Sequence, residues 1–183
     1  MNSLNKIYKE QIVPELVKEF ELKNVNEAPK LVKVVINVGI GQKLKDKEHL
    51  AAVKNTLTRI TGQQPVETKA RKSISNFKIR EGMVVGVKVT MRGKRLWDFV
   101  EKLVKVTLPR VRDFRGISGN AFDSKGNYTL GFNEHVSFPE IDQDEVEIVH
   151  GMEMVFVVDS KDPEMSKQLL VKLGFPFKKE EKK

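Results

Sequence analysis

The sequence predicts an α+β fold: a two-layer domain with a mostly antiparallel sheet, helices on one face of it and an open, polar face on the other. Three observations predict it. Two segments, "LVKVVINVG" from Leu31 and "VVGVKVTM" from Val84, carry β-branched residues at period two, the spacing of side chains on one face of a strand. Each segment divides its residues. Val32, Val34, Ile36 and Val38 in the first, and Val85, Val87, Val89 and Met91 in the second, are apolar, whereas the alternate positions include Lys33, Asn37, Gly86, Lys88 and Thr90. A sheet built this way offers one greasy face to helices and keeps one polar face open. Before, between and after these segments lie apolar stripes at spacings of three and four, and no repeat, low-complexity tract or linker interrupts the chain, so residues 1–183 are expected to form one domain.

Taken in order, Leu4, Ile7, Tyr8, Ile12, Leu16 and Phe20 recur at helical spacing between Ser3 and Leu22, with Pro14 expected to kink or divide the run. The first strand follows and closes at Gly39. Asp46 is placed to cap a second helix, whose Leu50, Val53, Leu57 and Ile60 form one stripe and whose stop is Gly62. A short strand, "PVET", leads into a basic loop at 69–82, and the strand from Val84 lies beyond it. A third helix is expected from about Lys94 to Leu108, with Leu96, Val100, Leu103 and Val104 inward and Pro109 ending it. The stretch "RVRDFRGISGNAFDSKGNYTLGF" is dense in Gly, Asn and Ser and reads as an ordered loop leading to a strand near Tyr128 to Val136. "MEMVFVV" is the last strand. Asp162 caps the last helix, Pro163 opens it, Met165, Leu169, Leu170 and Leu173 form its stripe, and Gly174 ends it. Residues 178–183 are expected to be a frayed, disordered tail.

No apolar run approaches the roughly 18 residues a membrane-spanning helix needs, so no membrane partner is expected. The N-terminal "MNSLNKIYKEQIVPEL" shows no apolar signal region, and a cytoplasmic location is the expectation. The absence of cysteine removes disulfides, thiolate catalysis and the common zinc clusters; His49, His135 and His150 are too few and too far apart in sequence to suggest a metal site. No cofactor and no metal are expected. The 33 Lys and Arg against 25 Asp and Glu give a net charge of +8, which fits a polyanionic partner because neutralising phosphates releases condensed counterions. Residues 133–164 hold ten acids and the single base Lys161. The basic excess therefore lies elsewhere, and two kinds of partner are implied.

"GIGQKL" after the first strand has Leu44 where the third glycine of a dinucleotide fingerprint belongs, and reads as a strand-ending turn. The pairs Glu140 with Asp142 and Asp144 with Glu145 have no His, Cys or Gly-rich loop beside them, so no catalytic residue is assigned and the chain is not read as an enzyme. The projecting loop is more specific. Lys69, Arg71, Lys72, Lys78 and Arg80 stand against the one acid Glu81, interleaved with Ser73, Ser75, Asn76 and Phe77. Lys and Arg suit phosphates, Ser and Asn suit backbone and sugar, and an aromatic packs on exposed bases. Composition alone leaves a flexible solvated connection and a phosphate-contacting one equally open. Arg92, Lys94 and Arg95, and then Arg110, Arg112 and Arg115, extend the basic character, while no RRM, KH or zinc-knuckle sequence occurs.

Six ordered blocks resemble the bacterial large-subunit ribosomal protein L5 family over about Ile7 to Lys178. They are "KVVINVGIG", "ITGQQPVETKARKSISNFKIREGM", "VTMRGKRLWDFVEKL", "LPRVRDFRGIS", "GNYTLGFNEHVSFPEI" and "LGFPF". The resemblance implies a non-catalytic ribosomal protein, ribosome-bound in the cytoplasm, whose open sheet face binds 5S rRNA and helps attach it in the central protuberance. Asn37, Gln63 and Thr90 stand in the matching motifs as RNA hydrogen-bonders, and Lys33, Lys88 and Arg92 join them as expected rRNA-binding residues. The loop is expected to contact peptidyl-site tRNA through Lys69, Arg71, Lys72, Ser73, Ser75, Asn76, Phe77, Lys78 and Arg80. Further implied partners are large-subunit rRNA, neighbouring large-subunit proteins and a small-subunit head protein at an intersubunit bridge. Segment 133–164 is the candidate for part of that bridge, by charge complementarity with a basic partner.

Overall fold

The computed structural model describes residues 3–41, 46–142 and 149–178. Part of the glycine turn (Gln42 to Lys45), the pair Asp144 and Glu145, and the expected tail beyond Lys178 lie outside the described residues. Helix α1 is continuous through Leu4–Ile7, a π-helical turn Tyr8–Ile12 and Val13–Glu19. The N–H of Val13 reaches back to the carbonyl of Tyr8, so the wide turn stands directly ahead of Pro14. Proline offers no N–H to the carbonyl four residues earlier and its ring crowds that carbonyl; the wider turn absorbs the defect inside the helix. Pro14 therefore does not divide α1.

Strand β1 is Lys30–Gly39, and helix α2 is Lys47–Thr61. The Asp46 carboxylate accepts from the N–H of Glu48 at 3.0 Å and of His49 at 3.1 Å, and Gly62 ends the helix at φ 65°. The buried stripe is His49, Val53, Leu57 and Ile60, one residue earlier at its start than Leu50, which is half-buried. Strands β2, Val66–Lys69, and β3, Val84–Met91, follow. Helix α3 repeats the device of α1: Gly93–Lys102, a π-helical turn Leu103–Thr107, then Leu108–Arg110. Leu108 donates to the carbonyl of Leu103 immediately before Pro109. The third helix thus continues through Pro109 to Arg110, where the sequence led us to expect its end.

Strand β4, Tyr128–Phe132, is shorter than expected because the chain turns into a 3-10 turn at His135–Ser137. Strand β5 is Met152–Asp159 and helix α4 is Pro163–Lys172, capped by the Asp162 carboxylate on the N–H of Glu164 at 3.1 Å. The five strands form one antiparallel sheet in the order β2-β3-β1-β5-β4, with the four helices completing the α+β architecture.

Strand parity follows the sequence with two exceptions. Val34, Ile36 and Val38 are buried, but at the start of β1 Leu31 is buried and Val32 is 40% exposed, so Val32 does not belong to the apolar face. In β3 Val87, Val89 and Met91 are buried, whereas Val85 is half-buried. Thr68 pairs with Gly86 and Lys69 with Val84, which leaves Val85 as the extra residue of a bulge.

The chain gathers into two compact units. The first contains Met1–Val34, Met91–Leu130 and Val155–Lys183, the second Val35–Thr90 and Gly131–Met154. In the first, Tyr8 lies against Trp97 with ring centroids 5.0 Å apart, and the amine of Lys172 on α4 meets Glu15 and Glu19 of α1 at 3.0 and 3.2 Å. Tyr128 is surrounded by Phe122, Phe156 and Phe177. In the second, Lys54 of α2 forms an ion pair with Glu67 of β2, and Glu67 faces the same way as its ladder partner, the buried Val87. Helix α2 therefore covers that face of the sheet. The opposite face of the second unit is the one that Thr68 and Gly86 share.

Candidate nucleic-acid interface

Opposed residues of an antiparallel ladder point to the same side. Val66 with Lys88, and Thr68 with Gly86, therefore lie on the face away from Glu67 and α2. Lys88 is exposed, and Thr90, two residues on, is half-buried. Asn37 alternates with the buried Ile36 and Val38 and is half-buried. A Cβ placed on Gly86 would come within 2.8 Å of the Val38 carbonyl and 2.9 Å of the Thr68 hydroxyl, while one on Gly39 would meet nothing within 4 Å. Gly86 is buried and makes room for the Val38 carbonyl and the Thr68 hydroxyl, whereas Gly39 is exposed and leaves its end of the face open. Gln63 follows the left-handed turn at Gly62; its N–H donates to the Thr61 hydroxyl at 3.3 Å.

Asn37, Gln63, Lys88 and Thr90 thus belong to the second unit. Lys33, half-buried on β1, and Arg92, exposed at the N-terminus of α3, belong to the first. The close approach at Gly86 was not legible in the sequence, because Gly86 is marked there only by its polar-parity position and not by the carbonyl it faces.

The loop is folded back on itself rather than structureless. Ala70 donates to Met83 at 2.8 Å, Gly82 to Ala70 at 3.0 Å, and Ile74 and Ile79 exchange main-chain bonds at 2.8 and 3.1 Å. A 3-10 turn at Ser75–Phe77 makes the tip, and Lys78 closes it at φ 56°. The Ser73 hydroxyl accepts from the N–H of Glu81 at 2.9 Å. The side chains of Lys69, Arg71, Lys72, Ser73, Ser75, Asn76, Lys78 and Arg80 are all exposed, and Phe77 stands 69% exposed at the tip. Ser73, Ser75, Lys78 and Arg80 line one groove together with Ile79, Glu81 and Met83. Cations and hydroxyls beside an exposed ring can hold phosphate and cover a base or sugar.

Two of the three histidines, distant in sequence, come together in the fold. His135 and His150 are stacked, with centroids 4.0 Å apart and planes 12° apart. The His135 Nδ1 lies 3.2 Å from the His150 carbonyl and 3.3 Å from its N–H. Burial pushes the His150 pKa down to about 4, helped by the neighbouring His135 and by His49; burial also lowers that of His135. Parallel stacked rings cannot converge on one ion, and among the described residues no group of three side chains could hold a metal. Of the acidic segment, Glu134, Asp142, Glu153, Asp159 and Glu164 are exposed, Asp162 caps α4, and residues 143–148 lie outside the described residues. No helix among the described residues is long and apolar enough to cross a membrane.

Residues 24–80 match the family model described as ribosomal protein L5, and residues 84–177 match the model of that ribosomal family's C-terminus. The chain belongs to the ribosomal protein L5 family. It is 52% identical over 177 residues to the large ribosomal subunit protein uL5 of Fervidobacterium nodosum, covering 97% of this chain and 96% of that one. The proteins of the same name from Acholeplasma laidlawii and Thermotoga maritima are 51% identical (97% of this chain, 98% of theirs) and 49% identical (94% of each). Membership makes this L5-family chain a structural, non-enzymatic component of the large ribosomal subunit, bound to the ribosome in the cytoplasm.

Proposed function

We propose that this L5-family chain binds 5S rRNA on the open sheet face of its second unit, helps attach that RNA in the central protuberance, and touches peptidyl-site tRNA with the tip of the 69–82 loop. The observation that carries the reading is the position of Asn37, Lys88 and Thr90 on the face that α2 leaves uncovered. Asn37, Thr90 and Gln63 supply hydrogen bonds to the RNA and Lys88 supplies charge for its phosphates on that face, while Lys33 and Arg92, which belong to the first unit, add positive charge for rRNA phosphates there. The exposed acids of segment 133–164 meet a basic small-subunit head protein at an intersubunit bridge.

Filter binding with 5S rRNA tests the sheet. Asn37→Ala and Thr90→Ala should each weaken binding by about 1–3 kcal/mol, the cost of leaving a buried RNA group unpaired; unchanged affinity in both would falsify the assignment. Neutralising Lys69, Arg71, Lys72, Lys78 and Arg80 together should leave 5S rRNA binding within a few-fold and reduce retention of peptidyl-site tRNA on assembled ribosomes. An equal loss of 5S rRNA binding would place the loop on ribosomal RNA instead.

A further inference from the structure

We propose that Met83 is a redox-sensitive modification site: peroxide converts its thioether to the sulfoxide ahead of the other described methionines, and the sulfoxide loosens the turn that closes the 69–82 loop, whatever that loop touches. Of the described methionines, Met91 and Met154 are fully buried, and Met152 and Met165 are each 5% exposed. Met83 alone among them is half-buried, and it lines the groove beside Ser73, Ser75, Lys78, Arg80 and Glu81. Thioether oxidation needs contact between sulfur and oxidant. A buried methionine has to wait for the structure around it to open.

The Met83 sulfur also has a structural task. Residues Arg80 to Met83 form a tight turn with Gly82 at φ 81°, and the N–H of Met83 donates to the Arg80 carbonyl at 3.1 Å, the closing bond of a β-turn. The other three N–H groups of the turn are engaged as well. Glu81 donates to the Ser73 hydroxyl at 2.9 Å, Gly82 to the Ala70 carbonyl at 3.0 Å, and Arg80 to the Met83 sulfur at 3.1 Å. The last bond is the weak member, because a thioether is a poor acceptor. It is also the one whose acceptor atom is the site of oxidation.

A thioether sulfur carries two lone pairs, and the Arg80 N–H takes one. The other forms a bond to one oxygen of hydrogen peroxide as the O–O bond breaks; the departing hydroxide takes the proton of the transferred oxygen and leaves as water. Sulfur is oxidised by two electrons and the peroxide is reduced by two. Lys78 and Arg80, lining the same groove, place positive charge near the departing hydroxide. In the product the electron-poor sulfur is a weaker acceptor still, and a nitrogen 3.1 Å away leaves no room for an oxygen between them. The Arg80 N–H either loses its partner or the sulfur draws back to offer the new oxygen, and both open the turn. Methionine sulfoxide reductases reverse the step.

Mild hydrogen peroxide treatment of the full chain, followed by peptide mass spectrometry, ranks the methionines. Met83 should gain one oxygen at least about tenfold faster than Met91, Met152, Met154 or Met165, since those wait for local opening; an equal or slower rate overturns the site. Amide exchange measured by NMR on chain oxidised at Met83 then reads the turn. The Arg80 amide should exchange roughly two- to tenfold faster, as the loss of one hydrogen bond implies, while the amides of the buried Val87 and Val89 stay put. Treatment with methionine sulfoxide reductase should restore the original rate. Unchanged or slower exchange at Arg80 overturns the loosening. Met83→Leu keeps the bulk of the side chain without a sulfur, so its Arg80 amide should not respond to peroxide; a response there would trace the effect to another residue and reject the proposal.

Discussion

Gly86 sets how closely three strands approach on the open face. A methyl group there would sit 2.8 Å from the Val38 carbonyl and 2.9 Å from the Thr68 hydroxyl, inside van der Waals contact with main chain that cannot swing away. Gly86→Ala should therefore destabilise the protein by about 1–3 kcal/mol, the usual cost of overpacking, seen as a lower midpoint in thermal melting. Gly39→Ala meets nothing and serves as the contrast. It should leave the melt unchanged while weakening 5S rRNA binding, because its methyl group rises from the face proposed for RNA; full retention of binding would remove that part of the face from the interface. Asp46 and Gly62 were legible from sequence because capping is local chemistry. The role of Gly86 was not, since a strand's own residues do not name the carbonyl that lies across from it.

At the scale of elements, helices α1 and α3 show what local rules miss. Pro14 was read as a kink or division and Pro109 as a stop, yet each helix places a π-helical turn immediately ahead of its proline and continues. Burial of Leu16 beyond Pro14 and of Leu108 beside Pro109 holds the helices together, and tertiary packing outweighs the propensity of one residue. The loop is the converse case. Its composition was legible, but its two readings differed in order, and the main-chain pairing of Ile74 with Ile79 could not be read from a run of exposed side chains. Part of that order comes from the Ser73 hydroxyl on the N–H of Glu81. Removing it in Ser73→Ala should cost the hairpin about 0.5–1.5 kcal/mol, the worth of one hydrogen bond. Amide exchange at Glu81 should quicken by roughly two- to tenfold while the global melt stays put; unaltered exchange would show that the hydroxyl does not order the loop.

For the whole molecule, strand parity and charge distribution carried the reading from sequence to α+β fold and polar face, because both are patterns along the chain. Contacts between distant segments were beyond it, and the histidines are the clearest instance: His135 and His150 stack within the second unit, with His49 adding to the same electrostatic environment. Burial lowers both pKa values in the folded state, and repulsion from His135 adds to it at His150, which is pushed down to about 4 from 6.5. Above pH 6.5 both folded and unfolded chains are neutral at these rings, and the shift has no effect on stability. As pH falls below 6.5 the unfolded chain takes up protons that the folded chain refuses, so stability declines until the folded His150 protonates near pH 4. His150 is only partly buried, and solvent screening trims the loss to on the order of 1–2 kcal/mol. Denaturant titrations at pH 7, 5.5 and 4.5 should show that decline in the native chain, and His150→Phe, which keeps a ring in the stack but cannot titrate, should flatten it. If the variant declines as steeply as the native chain, the carboxylates and not the histidine stack govern acid stability.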